Sequence, residues 1–174
     1  MSRLWVLRHA PVTTVGLCYG RFDPPRRSVL MGGPDGLELP PVDRIWSSPS
    51  PRCAELAAEL HERDGLPVHL DERLYELDFG RWEGIPWASI PEQELEAWGE
   101  HWRTCAPPDG ETLPELEARV RAWHAELAPE DRHLLVAHAG VVRCLWVQLE
   151  GLDWPRALDR PVPHLTPFPI PGTR

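Results

Sequence analysis

Apolar positions along this chain follow two rhythms. Leu4 to Leu7 and Leu134 to Ala137 are unbroken apolar runs, short and rich in bulky side chains, as in strands buried on both faces of a sheet. Arg44 to Trp46 and Val68 to Leu70 are weaker runs of the same kind. Helical spacing separates them. Ser50 and Pro51 make an N-cap and first helical residue, after which Cys53, Leu56, Ala57 and Leu60 share one face. Thr112 with Glu115 forms a capping box, and behind it Leu113, Leu116, Val120, Trp123 and Leu127 recur at spacings of 3, 4, 3 and 4. Val141, Val142, Leu145, Trp146 and Leu149 give a further stripe, and Leu95, Trp98 and Trp102 a shorter one. These stripes are core faces. Strands alternating with helices predict one α/β domain over residues 1–174, its mostly parallel sheet covered on both faces. Val162 to Phe168 reads as an edge strand, where proline is tolerated. The Gly- and Pro-rich connection from Arg26 to Val42 reads as a loop.

Composition narrows the chemistry. All 18 basic residues are Arg; there is no Lys and no Asn. That removes Schiff-base chemistry and the Gly-Lys-Ser/Thr phosphate loop. The 13 glycines never sit two apart, so no GxGxxG dinucleotide fingerprint exists, and no GxSxG elbow is present. A formal charge of −9 argues against nucleic acid and anionic membranes as partners. The longest uncharged run, residues 161–173, holds five prolines and cannot span a membrane. Cys18, Cys53, Cys105 and Cys144 are widely spaced, with no CxxC, and the N-terminus has no apolar export core, which reads as reduced thiols in the cytoplasm. No cysteine is followed six residues later by Arg, so a cysteine phosphatase is excluded, and no paired zinc-ligand spacing points to a metal. Twenty-one prolines fit a thermophile or GC-rich coding.

Ligands of open α/β sheets bind beyond the carboxyl ends of the strands. The first strand runs into Arg8 and His9, the second through Ser47, Ser48 and Pro49 to Arg52, and the Leu134 to Ala137 strand into His138, Ala139 and Gly140. Taken singly, these residues read as a solvated strand end, a surface arginine and a core histidine. Arg52 is unusual, because the first turn of a helix disfavours a cation unless an anion sits between it and the free amides. The Ala139-Gly140 turn aims backbone N–H groups past His138. Two arginines, two histidines and helix N-termini at one sheet edge make a site for a dianion such as phosphate. Glu76 could protonate a leaving oxygen and then activate water, with Glu83 and Asp23 as competing acids.

Together these segments resemble the histidine phosphatase superfamily, the phosphoglycerate-mutase-like group. Leu7-Arg8-His9-Ala10 looks like its Arg-His-Gly motif, and Ser47 through Arg52 like its Ser-Ser-Pro-x-x-Arg. Glu76 through Gly84 looks like Glu-x-x-Phe-Gly-x-Trp-Glu-Gly, Pro108 through Thr112 like Pro-x-Gly-Glu-Ser, and Val136 through Arg143 like Val-x-His-x-Gly-x-x-Arg. Gly16 through Asp23 resembles the α-ribazole phosphatase branch. The resemblance implies a three-layer α/β/α fold and a phosphomonoesterase needing no metal or cofactor. It implies His9 as nucleophile, Arg8, Arg52 and His138 around the phosphoryl oxygens, and Glu76 as general acid and then base. Tyr19, Arg21 and Ala139 are further candidates for substrate contact. The implied substrate is a small phosphorylated metabolite, α-ribazole 5'-phosphate among them.

Two alternatives stand beside this reading: a phosphoglycerate mutase, which would share the same phosphoenzyme, and a phosphate-binding pseudoenzyme, which departures from the motif suggest. Ala10 replaces the usual glycine, which costs roughly 1–2 kcal/mol if the backbone there is left-handed. Pro11 lacks an N–H, and Val15 cannot donate to phosphate; Thr13, Thr14 or Tyr19 are the substitute donors. Trp82, Trp87, Trp98 and Trp102 cluster in one segment, either as packing or as a stacking surface for a flat substrate. Trp-rich surfaces also suit a homodimer.

Overall fold

In the computed structural model, which describes residues 3–24 and 36–171, the two strongest apolar runs lie side by side. β1 (Leu4–Arg8) pairs in parallel with β4 (His133–Ala137), and β4 pairs in parallel with β2 (Arg44–Ser47). β2 continues in parallel to β3 (Val68–Leu70), and β5 (Phe168–Pro169) adds an antiparallel edge to β1. The strand order is β3-β2-β4-β1-β5. Val136 lies between Leu7 on one side and Ser47 on the other, so the carboxyl ends of β1, β4 and β2 finish level with one another.

Side-chain alternation explains the unbroken apolar runs. Leu4, Val6, Leu135 and Ala137 enter one core, while Leu7, Leu134 and Val136 join Ile45 in the other. A strand covered on both faces has no polar side. α1 (Pro51–Asp64) covers one face with Cys53, Leu56, Ala57 and Leu60. α3 (Leu113–Ala125) and α4 (Ala139–Leu149) cover the other through Leu116, Val120, Trp123, Val142, Leu145 and Trp146. The architecture is three-layered α/β/α around a mostly parallel sheet. α2 (Glu92–His101) buries no residue completely; it leans Leu95 and Trp98 on a small cluster of Cys18, Trp82 and Ile90. α5 (Trp154–Asp159) is too short for its apolar spacing to announce it, and Ala157 is its one buried residue. Among the described residues no helix is long and apolar enough to cross a membrane.

Two local expectations change. The capping box at Thr112 and Glu115 forms with both reciprocal bonds, but Ser50 caps α1 only by position. Its hydroxyl makes no cap bond and lies buried without a partner. The final strand is confined to Phe168–Pro169, and the preceding segment touches β1 through a single bridge between Arg8 and His164. Most of the loop expected from Arg26 to Val42 lies outside the described residues; positions 37–42 form no helix or strand.

Candidate active site

Because β1, β4 and β2 end level, the residues that follow them converge. His9 N–H still donates to Ala137 O (3.1 Å) and Ser48 N–H to Val136 O (3.1 Å), so the ladder carries both residues to the edge of the sheet. His9 and His138 meet there edge to face, ring centroids 5.3 Å apart, and both are buried. His9 Nδ1 lies 2.7 Å from Ala10 O. A carbonyl can only accept, so Nδ1 carries the proton and Nε2 holds the lone pair. Burial pushes the His9 pKa down to about 3, with the charges of Arg52 and Arg8 acting in the same direction. Burial likewise holds His138 well below the usual imidazole value. His138 Nε2 is 2.8 Å from Ser48 Oγ, and Cys53 Sγ lies 3.6 Å from the same atom.

The two arginines differ. Arg8 is half-buried, donates Nη1 to Val162 O at 2.8 Å, and faces a cavity of about 450 Å³. Arg52 is 1% exposed. Its Nη1 donates to Asp23 Oδ1 (2.6 Å) and Phe22 O (3.2 Å), and its Nη2 to Gly20 O (2.7 Å). The anion that the position of Arg52 demanded is therefore supplied, in this structure, by the carboxylate of Asp23, which also approaches the Arg52 N–H at 3.4 Å. Arg8 and Arg52 each keep one buried Nε–H without a partner.

Glu76 and Tyr19 line the same cavity as Arg8. Glu76 Oε2 accepts from Gly140 N–H at 2.9 Å and Oε1 from Leu77 N–H at 3.0 Å. The amide at the start of α4, expected to face the ligand, thus holds the candidate acid. A Cβ at 140 would stand 2.1 Å from Glu76 Oε1, so this seat for the carboxylate needs glycine there. The competing acid Glu83 has another role: its carboxylate accepts from the backbone N–H groups of Gly20, Arg21, Phe22 and Phe79 and pins that loop. Tyr19 also lies under the Arg52 guanidinium, 5.2 Å from ring centroid to Cζ.

Other positions sit differently from expectation. Arg21 is exposed and stacks over Tyr75 at 4.3 Å, away from the cavity wall, whereas Arg143 is in that wall. Ala139 is buried at the first position of α4 and its neighbour Gly140 reaches the cavity. Ala10 has no left-handed backbone; the described non-glycine residues with positive φ are Asp109 and Leu165. Val15 is 85% exposed and faces solvent. Cys18 is buried and its thiol is pushed up to about 12, which keeps it protonated at neutral pH. Among the described residues no group of three or more His, Cys, Asp or Glu side chains is placed to hold a metal ion.

Two contributors were invisible along the chain. His164 donates Nδ1–H to the His9 carbonyl and sets its ring 5.3 Å from that of His9. Arg119 donates to the carbonyls of Arg73, Tyr75 and Glu76 and to both oxygens of Glu111, so it fixes the backbone that carries Glu76. Only Glu111, inside the Pro108 to Thr112 motif, hinted at this clamp.

Comparisons with known proteins converge on one family. The model of the histidine phosphatase superfamily (branch 1) matches residues 35–166, a span that contains Arg52, Glu76 and His138. A glucosyl-3-phosphoglycerate phosphatase of Mycobacterium tuberculosis is 36% identical over 129 residues, which are 64% of this chain and 57% of that protein. The chain therefore matches little more than half the length of that relative. An adenosylcobalamin/α-ribazole phosphatase of Salmonella typhimurium is 27% identical over 159 residues, 84% of this chain and 79% of that one. The crystal structure of the α-ribazole phosphatase from Shigella flexneri has a TM-score of 0.79 at 24% identity, covering 94% of this chain and 87% of its own, a likeness of fold.

Proposed function

The chain belongs to the histidine phosphatase superfamily, branch 1, and on that premise we propose that it hydrolyses phosphomonoesters of small metabolites through a phosphohistidine on His9, without a metal ion. The observation that carries this reading is the neutral, oriented His9. Its Nδ1–H is held by Ala10 O, which leaves the lone pair on Nε2, and the guanidinium groups of Arg8 and Arg52 lie near enough for their charges to act on the ring. A buried imidazole kept unprotonated by its surroundings is a nucleophile across the neutral range.

Nε2 forms a bond to phosphorus while the bond to the alcohol oxygen breaks, and Glu76 gives that oxygen its proton. Glu76 then takes a proton from water, the water oxygen bonds to phosphorus, and the N–P bond breaks to release phosphate. Arg8 and Arg52 neutralise charge on the phosphoryl oxygens, work done elsewhere by Mg²⁺, and the uncharged His138 ring packs beside His9.

The test is phosphate release from p-nitrophenyl phosphate in excess EDTA. The expected outcome is turnover that His9→Ala abolishes and that Glu76→Gln lowers by about 10²–10⁴. An acid-labile, alkali-stable phosphoenzyme should be trapped with labelled substrate in the parent and not in His9→Ala. Phosphate binding without release would identify a pseudoenzyme, and turnover surviving in His9→Ala would remove the nucleophile from this scheme.

A further inference from the structure

The cavity in front of Arg8 and Glu76 has walls unlike its floor. Trp87, Trp98, Trp102 and Trp154 all border it, and all four are only half-buried. Their rings are held in edge-to-face groups: Phe79 meets Trp87 at 5.6 Å and Trp98 at 6.3 Å, and Trp102 meets Trp154 at 6.1 Å. Indole N–H groups are tied back into the protein, Trp98 to Cys105 O at 3.1 Å and Trp154 to Glu117 Oε1 at 2.6 Å. These two indoles therefore have their polar atoms spent on the protein, and their carbon surface is what remains for the cavity. Part of the polar lining is engaged as well. Arg143 donates to Ala157 O and Leu158 O, and the Glu76 oxygens accept from Gly140 and Leu77.

We infer that the leaving alcohol of the physiological phosphomonoester carries a flat, uncharged, largely apolar ring system that fills this cavity. The inference rests on the phosphatase reading above and names its substrate class. A volume near 450 Å³ suits a ring system of two or three fused or linked rings. Ring burial removes apolar area from water on both partners and adds stacking against fixed indoles. A sugar acid or an amino acid in the same place would lose water from its charged groups against the indole rings. Phosphate recognition at Arg8 and selection by the tryptophans are thus separate functions of adjoining surfaces.

The test compares two primary alkyl esters whose leaving oxygens are of similar basicity, 2-(1-naphthyl)ethyl phosphate and glycerol 1-phosphate. The expected ratio of kcat/KM is at least about tenfold in favour of the naphthyl ester. Trp98→Ala and Trp154→Ala each bring that ratio down towards one. A ratio taken on one preparation does not depend on how much of it is folded, so partial misfolding cannot mimic the effect. Binding is read apart from chemistry by quenching of tryptophan fluorescence in His9→Ala, where the naphthyl ester should saturate at about one-tenth the concentration of the glycerol ester or lower. Equal kcat/KM values in the parent, a ratio untouched by either tryptophan change, or equal affinities in His9→Ala would overturn the ring-substrate inference. Ring preference in binding with no turnover of either ester would overturn the phosphatase reading alone.

Discussion

Single atoms decide the reactivity of this site. One carbonyl, Ala10 O, sets the tautomer of His9, and one missing methyl, at Gly140, lets the Glu76 carboxylate reach the end of α4. Gly140→Ala separates those contributions from folding. Alanine favours a helix over glycine by up to about 1 kcal/mol, so the variant should melt no lower than the parent. Its Cβ pushes the Glu76 carboxyl aside, and a displacement of that size is worth up to about 10²-fold in rate. We expect kcat to fall at least tenfold with Tm unchanged or raised; full activity would show that Glu76 needs no such placement. Sequence reading singled out Glu76 and located Gly140 beside His138. Their mutual contact lies between residues 64 positions apart and could not be read from spacing.

Elements matter through what they clamp. Gly80 and the Pro108 to Gly110 turn approach so closely that a Cβ on Gly80, whose φ is +54°, would meet Pro108 O at 2.1 Å. Arg119 of α3 then bolts the strand of chain before Glu76 to Glu111 of that turn. Arg119 is 15% exposed, whereas the Arg73 pair with Glu126 is 30% and 66% exposed. Burial ranks the two. Arg119→Met strands part-buried carbonyls and the Glu111 carboxylate, a loss of about 1–3 kcal/mol in unfolding free energy, together with a reduction in kcat as Glu76 loses its seat. Glu126→Ala should cost under about 1 kcal/mol and leave kcat alone. Denaturant melts and steady-state rates on both variants check the ordering, and equal losses would refute it. The capping box of α3 was legible because it is local. α5 was missed because six residues carry too little periodicity, and β5 shrank because proline removes the donors that a longer strand needs.

At the scale of the molecule, two imidazoles buried in the neutral state couple folding to acidity. His9 is held at about 3 and His138 well below its usual value, burial being the main cause for each. An unfolded chain protonates both near pH 6.5. The unfolded state therefore binds more protons between pH 6.5 and 3, and stability falls as pH falls through that window. The contribution is complete above pH 7. At pH 5 the His9 imidazole takes about 2 kcal/mol from the folding free energy, and His138 acts in the same direction. Tm should drop between pH 7 and pH 5, and His9→Asn should flatten the slope by one proton in calorimetric melts. A Tm independent of pH over this range would mean that His9 is charged in the folded protein.

What the sequence determined alone is everything that rests on local periodicity and on residue chemistry: four parallel strands, the helical faces, the capping box, and which side chains could handle a phosphoryl group. These are legible because burial on both faces of a sheet or on one face of a helix leaves a periodic imprint. Tertiary structure decided which groups are free to act. It gave Asp23 to Arg52, Gly140 to Glu76, Glu83 to the Gly20 loop and His164 to His9, and it left the flanks of four tryptophans open toward the site. Hydrogen-bond partners of buried groups come from distant segments brought together by a strand order of β3-β2-β4-β1-β5, and no spacing along the chain encodes that order.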